Sequence, residues 1–190
     1  EESLGPEHPD VCLPMQNLAG LYVRVGRYAD AKPLFEGALM GSRKAYGNSH
    51  NKVAVGLFGL ALVNEKLGHL ALAESQLQEA VQVSEAALGT GHPQRAHALV
   101  ALGEHERKRG RHKAAQAYYE QALEILRRSE EGAQIIAVVE ARLANCLTAE
   151  GRPAEAESML MRSCKQQELA VGDHHQSLIP TLNELSICLH

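Results

Sequence analysis

The residues of this 190-residue chain that most invite chemistry are its ten histidines and four cysteines. His8, His50 and His92 recur every 42 residues, with His174 in a worn fourth copy. Residues that repeat along stacked helical elements sit about 10 Å apart or more, too far to share one ion at bond lengths near ~2 Å. These histidines are therefore expected to satisfy turn hydrogen bonds. His174 and His175 with distant His190 match no closed metal site. His105-Glu106-Arg107-Lys108-Arg109 opens like a zinc-protease helix but lacks the second histidine four residues on. No glycine-rich phosphate loop with its lysine is present, and no serine or cysteine sits in a nucleophile motif. The chain is expected to have no catalytic residues, no metal and no cofactor, and not to be an enzyme.

Cys12, Cys146, Cys164 and Cys188 lie far apart, and Cys12, Cys146 and Cys188 fall in apolar-periodic segments where a thiol acts as a small core hydrophobe. Read as reduced, they place the protein in a reducing, cytoplasmic compartment. A net charge of −4 and a pI near 6.2 argue against nucleic acid, whose phosphates reward a basic surface. The 45% hydrophobic content excludes a largely disordered chain. With 4% aromatics and no tryptophan, the core must be Leu, Ala and Val, a helical composition rather than a β one. No apolar run approaches the ~20 residues that span a bilayer, so no membrane insertion is expected. Glu1-Glu2-Ser3-Leu4 lacks the basic and apolar regions of a signal peptide.

Two interleaved ladders of turn residues reveal the elements that must position any site. Gly26-Arg27, Gly68-His69, Gly110-Arg111 and Gly151-Arg152 are 42, 42 and 41 residues apart. Between them run Leu4-Gly5-Pro6-Glu7-His8-Pro9, Tyr46-Gly47-Asn48-Ser49-His50 and Leu88-Gly89-Thr90-Gly91-His92-Pro93, with Val171-Gly172-Asp173-His174-His175 as the worn copy. Each period thus holds two helices, A and B. Helix A of the first repeat is expected over about Asp10 to Val25 and helix B over Tyr28 to Tyr46, since Leu18, Leu21, Tyr22 and Val25 recur at helical spacing. The glycines suit left-handed helix ends, and Pro9 and Pro93 suit first turns. The repeats read as 8–49, 50–91, 92–132 and 133–173, with a partial copy over 174–190. All belong to a single domain over 1–190, and both ends look cut from a longer array. One residue is lost between Ala122 and Leu143, where Ser129-Glu130-Glu131-Gly132-Ala133-Gln134 replaces the usual turn. A local change in superhelical geometry is expected there.

The small-and-large pattern within each period carries a family resemblance. The first copy has Leu18-Ala19, Tyr22, Gly26, Tyr28, Ala31, Phe35 and Ala38. Later copies have Leu60-Ala61, Ala73, Leu77 and Ala80, then Leu102-Gly103, Ala115, Tyr119 and Ala122, then Leu143-Ala144, Ala156 and Leu160, with Ser163 last. This resembles the tetratricopeptide repeat, whose usual unit is about 34 residues. The longer period, the Leu-Gly-x-x-His-Pro linker, Asn17-Leu18-Ala19-x-Leu21-Tyr22 and Ala31-Lys32-Pro33-Leu34 are similar to the kinesin light chain subtype. The resemblance implies an all-α, right-handed superhelical solenoid of antiparallel helix pairs with about four and a half repeats. It also implies a protein-binding scaffold or adaptor whose A helices line a concave groove for a peptide.

Counting from the Leu at repeat position seven, positions two, five, six, nine, twelve and thirteen face that groove. The candidate binding residues are Gln16, Asn17 and Arg24 in the first repeat and Phe58, Leu62 and Lys66 in the second. The third repeat offers Val100, Arg107 and Lys108, and the fourth Arg142 and Asn145. Position five also holds Ala141, position six Gly59, and position nine Gly20, Leu62, Glu104 and Asn145. An apolar floor ringed by cations suits a protein or peptide ligand with acidic and hydrophobic residues. Relatives that hold a chaperone's C-terminal carboxylate use lysines and asparagines at positions five, six and nine; only Asn17 fits, so such a clamp is not expected. Two alternatives remain. One is a structural module that self-assembles or contacts a neighbouring domain through its open terminal helix, Gln176 to His190, as a homo-oligomer would. The other is a regulatory array of a larger signalling or enzymatic protein.

Overall fold

The computed structural model describes residues 9–129 and 133–171. Among them are eight α-helices and no strand: α1 (Pro9–Arg24), α2 (Tyr28–Tyr46), α3 (Asn51–Lys66), α4 (Leu70–Leu88), α5 (Pro93–Lys108), α6 (His112–Arg128), α7 (Ala133–Ala149) and α8 (Pro153–Val171). Odd-numbered helices are the A helices and even-numbered ones the B helices. Helix α1 starts and stops one residue before the expected bounds, and α2 matches them. His8, His174, His175, Cys188 and the helix expected over 176–190 lie outside the described residues.

Every A-to-B reversal is made the same way. Gly26, Gly68, Gly110 and Gly151 hold φ between 74° and 83°, a conformation that costs little only for glycine. In each, the residue after the glycine donates its N–H back five residues, as Arg27 does to the Tyr22 carbonyl at 2.8 Å and His69 to that of Asn64 at 2.8 Å. The glycine itself bonds three residues back, at 3.1 Å for Gly26 to Val23 and 2.9 Å for Gly110 to Arg107. These two bonds satisfy carbonyls that the helix end would leave unpaired. At the B-to-A turns, His50 and His92 accept hydrogen bonds on Nδ1 from the Lys52 and Gln94 amides at 3.2 and 3.1 Å. The periodic histidines of these two turns therefore cap the following helix. Pro9 and Pro93 are the first residues of α1 and α5, where a missing N–H costs nothing.

The irregular turn ends α6 early. Helices α2, α4 and α8 have 19 residues and α6 has 17. Ser129 follows it in an extended conformation instead of a glycine at positive φ. Its hydroxyl donates to the Leu126 carbonyl at 2.8 Å.

The chain divides into two compact units, residues 1–98 and 99–190. In the first, α1 packs on α2, α2 on α3 and α3 on α4; in the second, α6 packs on α7 and α7 on α8. The small positions of the repeat are buried, as Ala31, Ala73, Ala115 and Ala156 show, so the two helices of a hairpin approach closely. Phe35, Leu57, Leu60 and Val63 form the centre of the first core. Each such side chain stabilises the fold by about 1.5–3 kcal/mol relative to exposure. Cys12 and Cys146 are buried, as expected of small core hydrophobes. Cys164 is buried too; it occupies the repeat position of Leu39 and Leu123, which sequence periodicity alone had not assigned to it.

Two helical glycines make room for aromatic rings. A Cβ on Gly59 would collide with the Phe35 ring, and one on Gly103 would lie 2.8 Å from the Tyr119 ring. Gly20, by contrast, has open space around it. Gly103→Ala is expected to destabilise the fold by about 1–3 kcal/mol through overpacking, outweighing the ~1 kcal/mol that alanine gains over glycine in a helix. Gly20→Ala should stabilise by up to about that same helix gain. Urea unfolding checks both, and stabilisation by Gly103→Ala would show that the ring yields freely.

Candidate functional site

The A-helix face of the first unit is apolar in its middle and basic at the helix ends. Leu13, Val55 and Phe58 are exposed, Phe58 by 41%, and Leu62 is half-buried. Arg24 and Lys66 are exposed at the last residues of α1 and α3, where a cation is favoured by the helix dipole. Asn17 is exposed, whereas Gln16 is half-buried with its Nε2 close to the bare Cα of Gly56. Gly59 and Ala141, counted toward the groove from their repeat positions, are buried; the Phe35 ring covers Gly59.

In the second unit the expected cations gather around a carboxylate. Glu104 accepts hydrogen bonds from Arg107 Nε at 3.0 Å and Nη2 at 2.8 Å, and from the Tyr119 hydroxyl at 3.1 Å. Lys108 Nζ lies 3.8 Å and Arg142 Nε 4.0 Å from the same group. Burial alone pushes the Glu104 carboxyl up. The Arg107 hydrogen bonds and charge, with Arg142 and the Tyr119 hydroxyl, outweigh it and hold the carboxyl below its ordinary 4.5. The Arg107 guanidinium is held further above its usual range by the Glu104 hydrogen bond. Burial, then the neighbouring Glu104 charge, raises the Tyr119 hydroxyl well above its ordinary value. Burial likewise pushes the Cys146 thiol to about 11, so it stays protonated and poorly nucleophilic near neutral pH. Val100 and Asn145 are half-buried on α5 and α7.

Sequence periodicity therefore placed Arg107, Lys108 and Arg142 on one face, and the structure brings them together. The same count put Glu104 at position nine of that face but did not pair it with the cations, nor show that Tyr119 reaches it from the B helix. The signal was present: Gly103 stands where the other repeats have Ala19, Ala61 and Ala144, and Tyr119 stands where they have Phe35, Leu77 and Leu160.

Two other surfaces are available. Leu18 and Leu21 of α1 and Val25 just after it are 42%, 56% and 68% exposed, while Leu60 and Val63 of α3, the counterparts of Leu18 and Leu21, are buried. Between α6 and α8 lies a groove of about 410 Å³, floored by Leu143, Leu147 and Met159. Arg152 at its rim is held by Glu155 at 2.7 and 2.6 Å and by Gln116 at 3.3 Å. In the first unit an ion pair, Arg43 Nη2 to Glu79 Oε1 at 2.6 Å, joins the corresponding helices. Its counterparts here are two cations, Arg127 and Arg162, and Arg127 turns to Glu140 at 2.6 Å instead.

Among the described residues no helix is long and apolar enough to cross a membrane. The tetratricopeptide repeat family model matches residues 10–86 and 53–128. No curated protein matches the chain in sequence. Among solved structures, the nearly identical TPR-like repeats attributed to a kinesin light chain of Podosopora anserina superpose with a TM-score of 0.83 at 22% identity, covering 96% of this chain and 87% of that one. A variant of the same protein gives 0.84 at 21%, covering 95% and 86%. The BtubC (BKLC) protein of P. vanneervenii gives 0.80 at 25%, covering 92% of this chain and 69% of its own. The fold is thus the all-α tetratricopeptide solenoid in its kinesin light chain-like form.

Because folding favours the ionised form of Glu104, its contribution to stability is complete above about pH 4.5 and is lost as pH falls through its lower folded value. Glu104→Gln removes that dependence. Thermal melts between roughly pH 5 and 3 should therefore fall less steeply for the variant than for wild type; parallel profiles would contradict the assignment.

Proposed function

The chain belongs to the tetratricopeptide repeat family, and from that premise we propose that its A-helix faces dock a protein or peptide partner bearing acidic and hydrophobic residues. The family's fold is a non-catalytic scaffold for protein contacts, so the reading is an adaptor rather than an enzyme, acting in the cytoplasm without cofactor. The observation that carries it is the exposure of Leu13, Val55 and Phe58, all on A helices of one unit. Large apolar side chains left exposed side by side favour a partner over water. Gln16, Asn17, Arg24, Leu62 and Lys66 complete that face. On the other unit Arg107, Lys108 and Arg142 offer the cations that acidic residues require, with Val100 and Asn145 beside them on the A helices. Cys12, Cys146 and Cys164, buried thiols outside any disulfide, support a reducing compartment.

Titration with fluorescent acidic peptides that each carry one aromatic residue tests the reading. Phe58→Ala, which removes an apolar anchor, and Arg107→Glu, which sets a second negative charge beside Arg142, are each expected to weaken binding by about tenfold or more. If neither variant changes affinity, these faces do not bind the peptide.

A second reading, contact with another copy or a neighbouring domain, is favoured by the exposed Leu18 and Leu21 of α1 and Val25 just after it. It predicts association in concentration-dependent light scattering that Leu21→Glu abolishes. A single monomeric mass at all concentrations would reject self-association.

A further inference from the structure

Glu104 is a carboxylate of the chain's own, placed where an acidic partner would otherwise meet two guanidinium groups. Its side chain is only 20% exposed, with Arg107 bound through two hydrogen bonds and Arg142 close by at 4.0 Å. The equivalent positions of the other A helices hold Gly20, Leu62 and Asn145, so an acid stands here alone among the four. The acid coincides with two further departures from the repeat in the same hairpin. Gly103 has lost its methyl, and the Tyr119 ring fills the space, which lets its hydroxyl reach through to Glu104 at 3.1 Å. A phenylalanine or leucine at that position, as elsewhere in the array, would hold the packing but offer no donor.

We propose that Glu104 is an internal occupant of this face, holding Arg107 away from acidic partners and setting how much negative charge a partner must carry to bind. The inference rests on the reading of the A-helix face as a docking surface. Arg107 is committed, because its two hydrogen bonds to one carboxylate form the fork geometry that guanidinium prefers. Lys108 and Arg142 sit at the outer limit of an ion pair with Glu104, at 3.8 and 4.0 Å, and are the groups a partner's carboxylate meets first. That incoming carboxylate then lies well within a screening length of Glu104 and is repelled by it. Neutralising Glu104 frees Arg107 and removes the repulsion, and both effects tighten binding. If Glu104 served instead to orient Arg107 for the partner, the same change would weaken binding. The two roles differ in sign.

The test uses fluorescently labelled hexaglutamate and anisotropy at low salt, with wild type, Glu104→Gln, Tyr119→Phe and Arg107→Glu. Glu104→Gln is expected to bind about fivefold tighter than wild type or better, with a steeper loss of affinity as salt rises. Tyr119→Phe keeps the ring against Gly103 but removes a hydroxyl that holds the carboxylate, and should tighten binding by about twofold. It carries the result should Glu104→Gln fail to fold. Unchanged or weaker binding by both variants overturns the proposal. If Arg107→Glu abolishes wild-type binding while Glu104→Gln is no tighter, the docking face stands and the internal occupant does not. If no variant binds hexaglutamate at millimolar concentration, both fall. Binding by Glu104→Gln alone supports the proposal, since it exposes a site that wild type keeps filled.

Discussion

The structure depends on a reversal of chain direction completed within three residues, made possible by a glycine at positive φ after each A helix. A side chain there would strain the backbone, and a longer loop would separate the two helices. With the reversal fixed, the hairpin closes on its small residues, and Ala31, Ala73, Ala115 and Ala156 are each fully buried within it. The same four departures from helical geometry, spaced 42, 42 and 41 residues apart, set which face of every A helix is spent on packing and which is left over. The exposed face of the A helices is thus a by-product of the turn.

That division of labour shows where the sequence can vary. Positions facing the hairpin interior keep their size: Leu60, Leu102 and Leu143 are all buried, and so are Ala19, Ala61, Gly103 and Ala144. Positions on the leftover face differ in chemistry from one repeat to the next, from Phe58 and Leu62 to Glu104 and Arg107, and from there to Arg142 and Asn145. Packing holds the first set because a buried methylene lost or gained costs stability. No comparable penalty acts on the second set, so its residues can be chosen for contacts outside the core. This is why an array with one fold can carry an apolar face in one unit and a cationic cluster in the other.

The period, the helix pairs and the turn glycines were legible in the sequence because each repeats, and a repeated local signal is read several times over. The histidine caps were legible for the same reason, since His50 and His92 stand at one position and perform one task. What could not be read depended on coincidences that occur once. Cys164 takes a leucine position and is buried there. The meeting of Glu104, Arg107, Tyr119 and Arg142 needs three helices at a fixed separation, and no spacing along one helix reveals it. Counting faces put Glu104, Arg107 and Arg142 on one side but assigned the two cations to a ligand, because a face count does not say which side chains on a face pair with one another.

The contrast between the two aromatic residues at the same repeat position shows how packing and recognition become joined. Phe35 and Tyr119 each press on a glycine, Gly59 and Gly103, and each would be displaced by a single methyl. Phe35 does nothing further, because a phenyl ring ends in carbon. Tyr119 has the same ring and one more atom, and that atom donates to Glu104. A polar atom taken this far into the interior must find a partner or destabilise the fold, so the hydroxyl and the carboxylate constrain each other. The carboxylate in turn must be balanced, and Arg107 supplies the charge. One additional oxygen in the core thereby fixes the orientation of a guanidinium on the surface, which links the stability of the third hairpin to the chemistry of its exposed face.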